Sequence, residues 1–333
     1  MLGAGSLNKI DENSISLRPM RQLASISLDL DNQWSYMRAQ GVSGWESYPT
    51  YLPVVVPDIL RVSDAVRMRL TIFVVGRDAE IPANTAPLRQ ILEAGHDIGN
   101  HSYMHEPWMH ETPVADITAE LTKTQDAIER ATGYRTVSFR GPGFAVSKDL
   151  LGVLRSMGYV YDASVFPTFL GSMLRKAALK GVNVPAAQKT DVEFGQWTDG
   201  FRTLHPHRWQ LPQGEMIEIP VTTMPLFRIP IHLTYLHFIA EKSEWLAKFY
   251  LGLALTLCQI FRVEPSILLH SLDFIAADRA PELSAFPGMG RSTEAKIART
   301  IGYLQQIQRR FTLVQLTEYA ELVSTRKLKT QRL

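Results

Sequence analysis

From Leu23 onward, short β-rich runs alternate with helical patterns, and that alternation restricts the fold more than any other feature of the chain. The strand-like runs are "LASISLDLD", "RLTIFVVG", "HDIGNH", "TVSFRGP", "YVYDASV", "MIEIPVT", "SILLHSL" and "FTLVQL". Several helices between them announce their starts. Thr112 ahead of Pro113 is expected to cap "PVADITAELTKTQDAIERATG", with Gly133 as its stop; Ser147 caps "KDLLGVLRSMG", and Thr317 opens "EYAELVS". Strands alternating with helices give an α/β fold with a mostly parallel sheet. Seven or eight such units predict a closed (β/α) barrel rather than an open doubly wound sheet, and no G-x-G-x-x-G follows the first strand.

With 333 residues, 45% hydrophobic, the chain can bury a large core as one big α/β domain or two ordinary ones. The reading is an N-terminal extension over 1–20, a barrel domain over 21–325 and a basic tail over 326–333. Residues 169–245 break the rhythm and are expected to form an elaborated connection over the barrel mouth. Its Trp197, Trp209, Phe227, Tyr235 and Phe238 offer sugar-stacking faces, an apolar surface for a lipid tail, or a small core of their own. A net charge of +2 supplies no field for wrapping nucleic acid, and the tail "RKLKTQRL" reads as a solvated end.

Cys258 is the only cysteine, so no intrachain disulfide forms, and "ALTLCQIF" around it predicts a buried, inert thiol. The N-terminus shows no apolar h-region behind a basic start, which makes a cytoplasmic location the expectation. "WLAKFYLGLALTLCQIF" is interrupted by Lys248 and Gln259 and falls short of the ~20 apolar residues of a membrane span. It is expected to be a buried helix; no integral membrane segment is predicted, peripheral membrane contact stays open, and oligomeric state is not legible.

The candidate chemistry sits at the ends of these strands. In "SLDLDN", Asp29 and Asp31 are two apart and so share a face with Ser25 and Ser27, while Ala24, Ile26, Leu28 and Leu30 take the other face. In a β/α barrel the carboxylates would point into the mouth at the C-terminal strand ends, where active sites are built. Like charges so placed repel unless one binds a cation or holds a proton. "GHDIGNHSYMHEP" carries His101 and His105, whose i, i+4 spacing puts both imidazoles on one side of a helical turn, able to chelate a divalent ion with a carboxylate from elsewhere. Arg140 in "SFRGPGF" can pair with an inward carboxylate, Asp162 in "YDASVFP" ends a strand, and "ILLHSLDF" delivers His270 to a strand end. Each of these signals is weak alone, because turn aspartates, surface arginines and core histidines are common.

Taken in order, the five segments resemble the five motifs of the polysaccharide deacetylase family, the NodB-homology domain or carbohydrate esterase family four. The resemblance runs from about Leu23 to Thr317. It implies a distorted (β/α) barrel, usually of seven strands, that removes acyl groups, mostly N-acetyl, from sugars with a bound divalent metal. By position, Asp29 would be the general base, Asp31 a metal ligand with His101 and His105, Arg140 the residue orienting the base, and His270 the general acid with Asp162 as its partner. Leu268 would line the pocket for the acyl methyl, bordered by Pro142 and Gly143. Zn2+ is the expected metal, with Co2+, Mn2+ or Ni2+ also fitting. Where many members have adjacent aspartates, this chain has Asp-Leu-Asp-Asn, so the division of labour between Asp29 and Asp31 is left open.

The expected function is therefore metal-dependent hydrolysis of an N-acyl sugar or glycoconjugate, with a metal-activated water, an Asp base and a His acid. A metal-independent or cyclic-amide hydrolase of the same superfamily, and a non-catalytic carbohydrate-binding barrel, are the alternatives. A mononuclear iron oxygenase shares the two-histidine, one-carboxylate set but usually sits in an all-β fold.

Overall fold

The computed structural model describes residues 21–170, 197–286 and 288–333. The predicted N-terminal extension and residues 171–196 of the predicted connection lie outside the described residues. Strand β1 (Leu23–Leu30) is the spine: it pairs in parallel with β2 (Thr71–Val74) on one side, and with β8 (Ser266–His270) and β9 (Thr312–Gln315) on the other. From β2 the parallel sheet continues through β3 (Asp97–Asn100), β4 (Ser138–Phe139), β5 (Tyr161–Asp162) and β7 (Gly214–Glu218).

The ring closes just beyond β7. Ile219 N donates to Asp162 O and Val221 N to Val165 O, both at 2.9 Å, and Thr222 N then donates to Ser266 O at 3.0 Å. Ser266 N returns a bond to Thr222 Oγ1 at 2.8 Å. The barrel thus consists of β1, β2, β3, β4, β5, β7 and β8. It is distorted because β4 and β5 are two residues each and the β7–β8 seam is held around one residue pair.

Every strand predicted from sequence is present. Among the described residues two were not foreseen: β6 (His207–Leu211), antiparallel to β7 across a tight turn, and β10 (Lys329–Gln331), parallel to β6. The basic tail is therefore not simply a solvated end, since it adds an edge strand, and the 169–245 stretch pairs the unforeseen β6 with the predicted strand β7.

The alternation of β1 is realised. Ala24, Ile26, Leu28 and Leu30 are fully buried against Val55, Ile59 and Val62 of helix Leu52–Val66 and the rest of the outer layer. Burying each of Ile26, Leu28 and Leu30 is worth roughly 1.5–3 kcal/mol of hydrophobic stabilisation. Phe73, Tyr161, Ile217 and Ile219 cluster separately on the inner side with Val314 and Leu316. Ser147 caps helix Lys148–Ser156 by accepting from Leu150 N, and Gly133 ends helix Val114–Thr132 at φ 76°. Thr112 does not cap that helix: Pro113 occupies the N-cap position and the Thr112 hydroxyl donates to Met109 O. Helix Leu316–Ser324 is entered at Gln315, leaving Thr317 in its first turn.

Helix Glu244–Ile260 is buried on one face only, through Ala247, Leu251, Ala254, Leu255 and Cys258. Burial pushes the Cys258 thiol up to about 12, so it is inert at neutral pH. The opposite face, expected to be buried, is open to solvent. No helix among the described residues is long and apolar enough to cross a membrane.

Candidate active site

Parallel registry brings the strand ends together. Asp29 lies opposite His270 across the β1–β8 pair and opposite Phe73 across β1–β2. Past the ends of β3 and β4 the ladders continue, with His101 N donating to Val74 O and Arg140 N to Asn100 O. Asp29, Asp31, His101, Arg140 and His270 therefore all emerge at the C-terminal end of the barrel.

Asp31 Oδ1 stands 3.1 Å from His105 Nε2 and 3.6 Å from His101 Nε2. Asp31, His101 and His105 form a potential metal-ligand group with all three donor atoms within 4.8 Å of one another. Two features suit a divalent cation. Asp31 Oδ1 is buried and has no aligned hydrogen-bond partner, while His101 Nδ1 is held by Arg140 O at 2.7 Å, which directs Nε2 toward the carboxylates. Burial alone would raise the Asp31 carboxyl, but the two histidines outweigh it and hold it well below the usual carboxylate range. Burial also lowers His101, keeping its imidazole neutral as a ligand must be; on His105 burial is outweighed by the Asp31 charge, and the pKa rises above 6.5.

The histidine pair is not on a helical turn, contrary to the expectation from its spacing. Residues 101–106 form an irregular loop in which Ser102 (φ 58°) and His105 (φ 53°) take the left-handed conformation. Side chains within the motif and one from a separate helix impose this path. Asn100 Oδ1 accepts from Ser102 N at 2.8 Å, Glu120 Oε1 accepts from Tyr103 N and Met104 N, and Ser102 Oγ accepts from His105 N.

Asp29 has a different partner. Arg140 Nη1 donates to its Oδ1 at 2.8 Å, Nε donates to Ala163 O, and the guanidinium lies 4.5 Å over the Phe73 ring. Gly99 makes room for that ring: a Cβ there would sit 2.4 Å from Phe73 Cδ1. Gly141 is equally constrained, because its Cβ would meet Ala145 O at 2.3 Å. Pro142 is buried beside it and Gly143 takes φ 60°, so the "RGPGF" corner turns tightly next to Arg140.

His270 is partly exposed and its Nδ1 meets Thr234 Oγ1 at 3.0 Å, which leaves Nε2 as the ring atom open for proton transfer. Asp162 does not join it. That carboxylate is fully buried, accepts from Ser164 Oγ at 2.6 Å and faces Glu218 across the β5–β7 register. The expected Asp162–His270 pairing is corrected accordingly, since β5 turns its carboxylate toward β7 and Thr234 takes the imidazole. Leu268 is buried with Val221 and Phe166, with Phe144 packed against them.

Sequence reasoning also missed the shell behind Asp31. Tyr36 OH donates to Asp31 Oδ2 at 3.2 Å, while Tyr51 OH and Ser271 Oγ both donate to the Asp31 carbonyl. None of these three has a local signal; Asn32, the next residue, does, as the N-cap of helix Gln33–Ala39, and its Oδ1 accepts from Tyr51 N at 3.2 Å.

Residues 44–161 match the family model described as polysaccharide deacetylase. Over that stretch, about a third of its length, the chain is similar to polysaccharide deacetylases. The matched stretch carries His101, His105 and Arg140; Asp29, Asp31 and His270 lie outside it and reach the same place through β1 and β8. Among curated relatives, the peptidoglycan-N-acetylglucosamine deacetylase of Listeria monocytogenes is 30% identical over 96 residues, 29% of this chain and 20% of that protein. The chitin deacetylase of Colletotrichum lindemuthianum is 30% identical over 113 residues, 33% of this chain and 44% of that protein. These alignments span less than half of each relative. A solved structure described as a polysaccharide deacetylase from Mycobacterium smegmatis shares the fold at TM-score 0.60 and 18% identity, covering 95% of both chains.

Proposed function

We propose that this protein is a metal-dependent hydrolase that removes an N-acyl group, N-acetyl first, from a sugar or glycoconjugate. The observation that carries this reading is the buried, unbonded Asp31 Oδ1 facing two imidazole nitrogens, beside a second carboxylate that is bound to arginine instead. Asp31, His101 and His105 would hold the metal. Two nitrogens and one carboxylate oxygen suit Zn2+, with Co2+, Mn2+ or Ni2+ as substitutes. When bound, the ion supplies a Lewis acid that polarises the amide carbonyl and acidifies water.

The chain's own residues do the rest. Asp29 takes the proton of the attacking water on Oδ2, since Oδ1 is engaged by Arg140, and Arg140 fixes the direction of that carboxylate. His270 donates a proton to the departing nitrogen, because an amide anion cannot leave; Thr234 sets its ring. Leu268, Val221, Phe166 and Phe144 form an apolar wall for the acyl methyl, with Pro142 and Gly143 at its border. The products are a free amine and a carboxylate such as acetate.

The test is acetate release from a panel of N-acetylated sugars and glycoconjugates, before and after a chelator. Release that chelation stops and Zn2+ restores supports the reading. Release that survives chelation points to the metal-independent branch, and binding without release to a non-catalytic barrel.

A further inference from the structure

An apolar surface adjoins the site and is built from two elements. Beyond the Thr223–Pro230 bridge the chain makes a tight turn closed by Met224 N to Ile229 O and Arg228 N to Met224 O, both 2.8 Å. At its tip Leu226 is 63% and Phe227 57% exposed. Leu226 has φ 72° and Arg228 φ 56°, conformations that favour glycine or asparagine. A solvent-exposed leucine held in the left-handed region gains nothing for the fold, which marks the tip as a place where an apolar side chain is used.

The second element is helix Glu244–Ile260. Trp245, Leu246, Phe249, Leu253 and Ile260 are all exposed, and at 3.6 residues per turn they fall within a sector of about 100° opposite the buried face. Trp245 and Phe249 stack with ring centroids 5.4 Å apart. Tyr250 OH donates to Pro230 O at 2.7 Å, tying this helix to the base of the turn, and Phe238 is exposed on helix Leu233–Lys242 packed beside it. Lys242 and Lys248 are exposed on these two helices, with Glu241 beside Lys242, and Arg228 follows Phe227 in the turn, whereas Glu244, on the helix's first turn, is paired with Arg299.

We propose that this surface docks on an anionic phospholipid bilayer. Aromatic and aliphatic side chains in one narrow helical sector, an apolar turn tip and exposed lysines are the features by which an amphipathic surface enters the headgroup region. The barrel mouth is carried with it: Thr234, which contacts His270, and Phe238 lie four apart on one side of the same helix, and the His232 and His270 rings are 5.4 Å apart. Resting on the deacetylase reading, this places the substrate amide on a sugar attached to a lipid. The docking itself stands without that reading.

The experiment follows the wild-type chain and Phe227→Glu/Trp245→Glu in cosedimentation with vesicles of phosphatidylcholine alone or mixed with phosphatidylglycerol. Because Cys258 is buried and the only cysteine, Phe249→Cys also accepts one environment-sensitive fluorophore at this face. Docking predicts preferential binding to phosphatidylglycerol vesicles, a blue shift of the fluorophore on binding, and at least a roughly tenfold loss of binding in the double variant with acetate release from soluble substrates unchanged. No binding to either vesicle overturns it. So does a Phe249→Cys thiol that fails to label in buffer, or a dimer that Trp245→Glu splits, since protein then covers the face. Equal binding to both vesicles overturns the role of the cations. Vesicle binding without acetate release from any substrate supports docking and removes the lipid-linked substrate.

Discussion

Arg140 Nη1 donates to Asp29 Oδ1 at 2.8 Å inside the barrel, joining residues 111 positions apart in the chain, and both side chains are almost completely withdrawn from water. A buried charge pair of this kind contributes little net stability, but removing one partner strands the other. Arg140→Met is therefore expected to destabilise the protein by roughly 3–5 kcal/mol in urea unfolding, and Asp29→Asn/Arg140→Met to recover part of that loss. Strictly additive single effects would contradict a direct pair.

Tyr36 holds the oxygen of Asp31 that faces away from the histidines, and its hydroxyl also lies 3.3 Å from Ser271 Oγ. Tyr36→Phe deletes both contacts while keeping the ring. The expected result is a roughly ten- to hundredfold loss of metal affinity by competition with a chromogenic chelator, with little change in thermal midpoint. Unchanged affinity would show that the ligand carboxylate is positioned by Tyr51 and Ser271 through its backbone alone.

The Asp162–Glu218 pair predicts a pH dependence of stability. Burial, followed by the Asp162 charge, pushes Glu218 well above its ordinary 4.5, and burial raises Asp162 above 3.8. The folded state then binds more protons than the unfolded one. This contribution is complete below those ordinary values and is lost as pH rises through the raised ones, at up to ~1.4 kcal/mol per pH unit per proton. Buried His101, His207, His232 and His237 are pushed below 6.5 and act in the opposite direction over the same range, so the pair is read as a difference: wild type should lose stability relative to Glu218→Gln in urea as pH rises from about 5 to 8. A difference between the two proteins that stays constant across that range would contradict the pair.

Period-two patterning made β1 legible, because its two faces meet two different environments: outer helices for Ala24, Ile26, Leu28 and Leu30, and the barrel interior for Ser25, Ser27 and Asp29. The convergence of Asp31, His101 and His105 was legible only through the family resemblance; their spacing suggested a helix that is absent. The loop's true shape depends on Glu120, a residue of a separate helix, and no local pattern reports such a contact. Asp162 was misassigned for a similar reason, since its neighbour is fixed by β7 lying beside β5, a choice of strand order rather than of sequence period. The open face of helix Glu244–Ile260 escaped notice because its buried and exposed sides are both apolar, so hydropathy alone does not distinguish them.

Bound metal per chain, measured alongside acetate release for the wild type, Asp29→Asn, Asp31→Asn and His101→Ala, tests the central claim most directly. The account predicts one divalent ion and acetate release in the wild type, retained metal with lost turnover in Asp29→Asn, and loss of both in His101→Ala, with Asp31→Asn weakened in metal binding. Unchanged acetate release from a metal-free His101→Ala chain would contradict it.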